Sequence, residues 1–417
     1  MLRISHLLVP ASLCLFPAAF SGPPEHGKWA LVFVDDFTGT ETDLDAKWEA
    51  QNGPSGHILC SRWRENAVLK DGLLRLEARK ETRAEQDWTA ASLWTRETFT
   101  YGYFECRYRY AAATGTNNSF WIMTRGRPKQ RFEIDINEGH FPNEVNMNLH
   151  NWSGKHWARG GRWYYGPPPP APNQNDAGFE FVLDGPLVTN RIRLVSIDAG
   201  PVRVMELRAF PPSNQGYPSV FPSRLEAQPD VPNLALGAAA EASSSLETKY
   251  AAHKAIDGLL GTESRWLSAR TNGPHHLTVT FPKPQTLGCL QFISGWEEKG
   301  TWNGIVDDFR LEYWDGAGWL PIPGADGKTL QAAKPAVAPT HNLGKEFHTY
   351  ALEWNKDELI YFFDGNKIRR TPNDICHGPA PVWLSLAIIK WAGRVTDAIH
   401  GTSMDVDYVR VWQNKDE

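Results

Sequence analysis

Apolar and polar residues alternate one by one through much of this chain, which is the period of a half-buried strand; no stretch carries a convincing helical stripe. The plainest case is Arg131-Phe-Glu-Ile-Asp-Ile-Asn-Glu-Gly-His140. Phe132, Ile134 and Ile136 alternate there with Glu133 and Asp135, so the acids face one way and the apolar residues the other. Glu138 breaks the register, because strict alternation would put Asn137 on the acidic face. A β-bulge around Ile136-Asn137, with Asn137 as the extra residue, would return Glu138 to its fellow acids.

The same reading predicts strands before and after this one. Trp29 to Asp35 reads as a strand that runs into a polar turn reaching residue 46. Ala67 to Ala78 reads as two short strands about Asp71-Gly72, and Leu359 to Ile368 as a hairpin about Asp364-Gly365. Ser92–Arg96, Thr100–Tyr110, Ser119–Met123, Asn146–Trp152, Phe347–Trp354, Val382–Ile389 and Met404–Trp412 complete the set. Many short strands with Gly, Pro and Asn turns give an all-β class, a sandwich or jelly roll. The composition shifts at Pro167-Pro-Pro-Pro170 and again near Pro335–Thr340, so a different unit is expected between them.

Composition narrows the chemistry. A net charge of −5 is too modest to point to nucleic acid or membrane partners. The 18 Trp are many for this length, and exposed indoles suit sugar rings, although a core position is the default for each. Arg3, the apolar run Leu7–Phe20 and the small residues Ala19 and Ser21 read as a signal peptide over residues 1–21. The expectation is a monomer exported to the periplasm or medium. Cys60, Cys106, Cys289 and Cys376 remain after that cut; a Cys60–Cys106 disulfide and four buried free thiols both stay open.

Three carboxylates crowded on one face repel one another, which suits a cleft doing acid–base chemistry better than a core. The alternative is an exposed acidic sheet edge or a Ca²⁺ site. The flanking motifs favour chemistry. Tyr101-Gly-Tyr-Phe-Glu, Phe120-Trp-Ile-Met, Glu133-Ile-Asp-Ile-Asn-Glu138, Phe347-His-Thr-Tyr-Ala-Leu-Glu-Trp354, Phe363-Asp-Gly and Val406-Asp-Tyr-Val-Arg-Val together resemble glycoside hydrolase family 16. The resemblance covers about residues 28–166 and 344–414, and its bulged E-x-D-x-x-E form is similar to laminarinases, agarases, porphyranases and κ-carrageenases.

It implies a β-jelly roll that cleaves internal β-linkages of a polysaccharide with retention, and it requires no cofactor. Glu133 would be the nucleophile and Glu138 the acid/base, with Asp135 between them tuning both and sharing a proton or hydrogen bond with the nucleophile. Asn148, His150 and Trp152 alternate onto one face and form a candidate substrate row, with Trp63 and Trp121 as candidate stacking platforms; core or structural roles are the competing readings. Arg125, in the basic loop Arg125–Arg131, is either a solvated loop residue or a sulfate contact. Ile389-Lys-Trp-Ala-Gly and the context of Trp63 look more agarase- and carrageenase-like, and that resemblance leans the expectation to an algal galactan of the agarose, porphyran or carrageenan type. The alternatives are a laminarinase-like β-1,3-glucanase and, in another class, a non-catalytic carbohydrate-binding protein.

The intervening segment resembles a discoidin-like, coagulation-factor C-type module through Asn233-Leu-Ala-Leu-Gly, Ala255-Ile-Asp-Gly258, Ser264-Arg-Trp-Leu-Ser268 and Phe309-Arg-Leu-Glu-Tyr-Trp-Asp-Gly. Strand patterns that normally close such a module, Arg191-Ile-Arg-Leu-Val195 and Val204–Phe210, here precede it. The expectation is a circular permutation, with two modules as the alternative. In that resemblance Glu206 and Asp257 form a structural Ca²⁺ pair. The expected layout is signal peptide 1–21, catalytic jelly roll 24–170, inserted β-sandwich 171–343 and catalytic jelly roll 344–417.

Overall fold

The computed structural model describes residues 22–415 apart from 127–128, 169–173, 197–200, 223–226, 262, 272, 299–300, 307 and 328–339. The signal peptide and most of the two Pro-rich boundaries therefore lie outside the described residues. Strands dominate, and helices longer than a 3-10 turn are confined, among the described residues, to Glu41–Lys47 and Gln174–Ala177. No described helix is long and apolar enough to cross a membrane.

The chain forms two compact units, Met1–Pro168 with Pro339–Glu417, and Pro169–Ala338. The first unit has two large antiparallel sheets over one core and a small third sheet of Cys60–Arg62, Gln86–Ala90 and Arg79–Arg83, whose first pair is parallel. One large sheet runs in the order Trp157–Tyr164, Glu144–Asn151, Phe132–His140, Thr116–Met123, Val382–Ile388, Ser92–Thr95, Trp48–Ala50. The other runs Asn366–Pro372, Glu358–Phe363, His348–Trp354, Gly102–Arg109, Ser403–Asn414, Leu73–Glu77, Ala67–Lys70, and Trp29–Asp35 adds to Ser403–Asn414. Alternation explains the layers. Phe104, Cys106 and Tyr108 of the second sheet and Phe120, Ile122, Phe132 and Ile134 of the first are all fully buried in the same core. The two Asp-Gly turns form as expected, with both residues of each pair at positive φ (Asp71 56°, Gly72 71°; Asp364 46°, Gly365 74°), the geometry a two-residue hairpin loop needs.

The segment read as a polar turn contains the short helix Glu41–Lys47. Its signal is local: the Thr40 side chain accepts from the Asp43 N–H while the Asp43 carboxylate accepts from the Thr40 N–H, a capping box. All four cysteines of the described residues are buried free thiols.

The second unit has its own core and its own sheet, in the order Trp266–Leu267, Arg203–Phe210, His275–Ser294, Gly178–Ser196, Phe309–Trp314, Trp319–Asp326. Ala239–Ala242 also pairs with His275–Ser294. The two longest strands pair along most of their length, with register breaks at Val182/Leu187 and Thr189/Arg191. Strands 178–196 and 203–210 thus share one sheet with 275–294 and 309–326.

Candidate active site

The acids sit on a strand whose register is broken where the sequence breaks it. Against Glu144–Asn151, Asp135 faces Asn148 and Glu138 faces Asn146, so the acidic strand spends three steps where its neighbour spends two. Against Thr116–Met123, Asn137 faces Phe120 and Asp135 faces Trp121, which leaves Ile136 without an opposite residue. The bulge is as expected, but on that side its extra residue is Ile136, not Asn137. The reason is packing. Asn137 is fully buried and its amide donates to the hydroxyls of Tyr108 (2.6 Å) and Tyr110 (2.8 Å) from the opposite sheet. That anchor fixes Asn137 inward, and Glu138 turns to the outer face of the sheet.

Each acid is held differently. Glu138 is half-buried, and each of its carboxylate oxygens accepts from an amide, Asn117 Nδ2 at 2.8 Å and Asn148 Nδ2 at 2.9 Å. Glu133 accepts from the Trp152 indole at 2.7 Å. Burial, then the charge of Asp135, pushes the Glu133 carboxyl up to about 8 against the pull of His150 and Trp152. Asp135 is 1% exposed, and its burial, then the charge of Glu138, holds its carboxyl well above the usual range. Asp135 is also hydrogen-bonded to Glu133. A hydrogen bond between two carboxyls needs a proton on one of them, so the two titrate as a pair. His150 Nε2 lies 3.3 Å from Asp135 Oδ2. Glu133, Asp135 and His150 could also hold a metal ion, their ligand atoms lying within 4.8 Å of one another.

The other expected residues fall out as follows. Asn148, His150 and Trp152 share the acids' face. His150 stacks on Trp152 (5.6 Å, 8°), and His156, which sequence reasoning missed, stacks on Trp152 at 4.0 Å. Trp121 is half-buried, donates to Ser385 Oγ at 3.1 Å and stacks on Trp383 at 4.7 Å. Trp383 meets Trp94 at 4.6 Å, so a row of three indoles crosses adjacent strands and leads to Asp135, the residue opposite Trp121. Trp383 and Trp94 were missed because alternation within one strand says nothing about which strands become neighbours. Asn117 was missable for a smaller reason: it lies four residues from Trp121 and so shares its face, but the strand was expected to start at Ser119.

Trp63 and Arg125 are engaged elsewhere. The Trp63 ring is covered by the Arg83 guanidinium at 3.5 Å, and its indole donates to Ser61. Arg125 pairs with Glu49 at 2.6 Å and covers Trp94 at 4.1 Å. Arg127, in the same basic loop, lies outside the described residues. In the second unit Glu206 is fully buried; one oxygen accepts from the Gly258 N–H at 3.1 Å and the other has no protein partner. Both Asp257 oxygens are taken, by the Leu259 N–H and the Ser264 hydroxyl.

Comparison with known proteins places this geometry. The profile described as "Glycosyl hydrolases family 16" matches residues 57–164 and 325–410. Endo-1,3-1,4-beta-glycanase ExsH of Rhizobium meliloti is 35% identical over 178 residues, 42% of this chain and 37% of the relative. Endo-1,3-1,4-beta-glycanase EglC of the same organism is 27% identical over 175 residues, 41% and 36%. A beta-glucanase of Rhodothermus marinus is 33% identical over 144 residues, 31% and 50%. The chain thus spans between about a third and a half of the length of these relatives. The laminarinase catalytic domain of Thermotoga maritima superposes with a TM-score of 0.46 at 15% identity, covering 93% of this chain and 98% of that one, a likeness too slight to argue from. The second matched segment opens at 325, although Ala325 is buried in the core of the second unit. On the sequence match, with strands from both segments building the sheet that carries Glu133, Asp135 and Glu138, the chain contains a glycosyl hydrolase family 16 domain split in two.

Proposed function

We propose that the chain is an exported, endo-acting, retaining β-glycan hydrolase whose substrate is a β-1,3- or mixed-linkage β-glucan. The observation that carries the reading is the bulge: it sets two separately held carboxyls on one face of one strand, with a third buried between them. Glu133 attacks the anomeric carbon, and the departing sugar oxygen takes its proton from Glu138. The resulting glycosyl ester on Glu133 is then hydrolysed by a water that gives its proton back to Glu138. Asp135 takes the proton it shares with Glu133 and so leaves the nucleophile ionised. Asn117 and Asn148 position Glu138. The indole row of Trp121 and Trp383 offers apolar faces to sugar rings.

The glucan is favoured over the galactan first expected because the matched relatives are named as endo-1,3-1,4-beta-glycanases and a beta-glucanase and because Arg125 already has a carboxylate partner. The test is incubation with laminarin, barley mixed-linkage glucan, agarose, porphyran and κ-carrageenan, following released oligosaccharides and the anomer first formed. Oligosaccharides from a glucan, with β-anomer first, are expected. Glu133→Ala and Glu138→Gln should each reduce polymer hydrolysis by about 10³-fold or more. Release from galactans alone would overturn the substrate. A protein that binds glucan and cleaves nothing would be the non-catalytic alternative.

The inserted unit we read as a circularly permuted discoidin-like carbohydrate-binding module. Its support is that strands 178–196 and 203–210 pair with strands drawn from 275–314, as one permuted sheet demands. A Ca²⁺ there would use the unpartnered oxygen of Glu206, completed by other oxygens because both on Asp257 are engaged. Chelation by EDTA should lower the melting temperature of wild type and leave Glu206→Gln unmoved; an unchanged wild type removes the Ca²⁺.

A further inference from the structure

The face of the second sheet that points away from the core holds two buried carboxylates on neighbouring strands. Glu105 is 1% exposed and Glu353 6% exposed, and Glu105 is paired in register with Ala351 and Arg410. Both are covered by the first described residues of the chain. The Gly22 nitrogen donates to Glu105 Oε2 at 2.9 Å. The Pro24 carbonyl accepts from the Trp29 indole at 2.8 Å, Trp29 meets Tyr103 edge-on at 6.2 Å, and His26 Nε2 lies 3.3 Å from Glu353. The remaining Glu105 oxygen accepts from the Tyr408 hydroxyl at 2.9 Å.

While the chain continues upstream of Gly22, the groups hydrogen-bonded to Glu105 are the Gly22 N–H and the phenols of Tyr408 and Tyr103. A peptide N–H and a phenol are neutral donors, and a buried carboxylate wants a cation. Arg410, opposite Glu105 in register, supplies a favourable charge with its guanidinium over the Tyr408 ring at 3.9 Å, and a cation bonded to the carboxylate itself would add to it. Cutting the peptide bond between Ser21 and Gly22 would turn that same nitrogen into an α-ammonium without moving it. The residues before the bond, Ala19-Phe20-Ser21, have the small–x–small pattern that signal peptidases accept.

We propose that hydrolysis of the Ser21–Gly22 bond generates the mature chain and that the freed Gly22 ammonium is the buried counter-ion of Glu105. Processing then does more than remove a leader. It adds a charge-assisted bond that pins the segment Gly22–Trp29 across the sheet, and the folded state of the processed chain differs in stability from that of the precursor. The idea is independent of which glycan the other sheet binds, so it stands or falls apart from the glucan reading.

Two measurements test it. The first is N-terminal sequencing of the exported protein, expressed with residues 1–21 in a secreting bacterium. Gly-Pro-Pro-Glu is expected, and any other start overturns the proposal. The second compares melting temperatures at pH 7 of three chains: one starting at a free Gly22, the same chain Nα-acetylated, and one starting at Ser21. Acetylation keeps an N–H and removes only the charge. The free Gly22 chain should melt on the order of 3–5 °C above the other two. In Glu105→Gln that gap should close. Equal melting of the free and acetylated chains overturns the pairing, and because this comparison uses the wild-type side chains it holds even if Glu105→Gln does not fold.

Discussion

Glu133 and Asp135 keep a proton at a pH where an exposed carboxyl has lost it, and this sets a stability slope. The Glu133 carboxyl stands at about 8, against roughly 4.3 for an unfolded glutamate. Between those values the folded chain binds a proton that the unfolded chain has released, so stability is fullest below the lower value and falls as pH rises to the upper one. Glu133→Gln removes that slope. Its melting temperature should match wild type near pH 4 and exceed it near pH 8, by a difference in stability of up to about 4–5 kcal/mol; a gap that does not widen with pH contradicts the shared-proton arrangement. Glu138 is governed by position instead. Asn117→Ala and Asn148→Ala each leave one of its oxygens without its amide donor, and each should lower kcat by roughly 10-fold or more with little change in KM. A change in KM alone would make the two amides substrate contacts. At this scale the sequence was informative about acids and poor about their holders. Glu133, Asp135 and Glu138 announce themselves by charge and spacing, whereas Asn117 acts only because its strand becomes the neighbour of theirs.

The acidic strand as an element depends on a close approach that its residue types encode. Gly139 follows Glu138, and a Cβ placed there would sit 2.2 Å from the Tyr110 ring. That ring cannot withdraw cheaply: its hydroxyl accepts from Asn137 and donates to the Glu144 carbonyl, tying the bulge to the next strand. Gly139→Ala should therefore cost about 1–3 kcal/mol of stability by overpacking. It should also lower kcat more than Asn117→Ala does, since it moves the strand that carries Glu138. Unchanged unfolding in urea with wild-type turnover would show the ring free to shift. Element by element, the strands were legible because period-two patterns and Asp-Gly turns are local. The short helix Glu41–Lys47 was passed over although its capping box, Thr40 to Asp43, is equally local. What local pattern could not supply was sheet order, and with it the row Trp121–Trp383–Trp94, whose middle strand comes from more than 250 residues beyond the other two.

At the scale of the whole chain the question is how one domain survives interruption by 170 residues, Pro169–Ala338. The first unit answers it locally, for the points of departure and return adjoin. The Asn143 amide donates to the carbonyls of Tyr165 and Pro167 at 3.0 and 2.9 Å, the Leu343 N–H donates to the Pro142 carbonyl at 2.8 Å, and the Tyr165 and His341 rings meet at 5.3 Å. A domain whose cut ends lie together needs no particular segment between them; closing a longer loop adds only about 0.6 kcal/mol per doubling of its length. The cores say the same, because the buried cluster of the first unit includes no residue from 169–338 and that of the second includes none outside it. Replacing residues 169–338 by about four Gly and Ser residues should therefore leave the catalytic unit folded, with a cooperative melt and turnover of soluble glucan within about twofold of wild type. If the inserted unit binds carbohydrate, the shortened chain should lose retention on insoluble glucan while keeping that turnover, which separates the two roles in one experiment. A shortened chain that does not fold would mean that the second unit completes the first, and the split would then be one domain in a structural as well as a genetic sense.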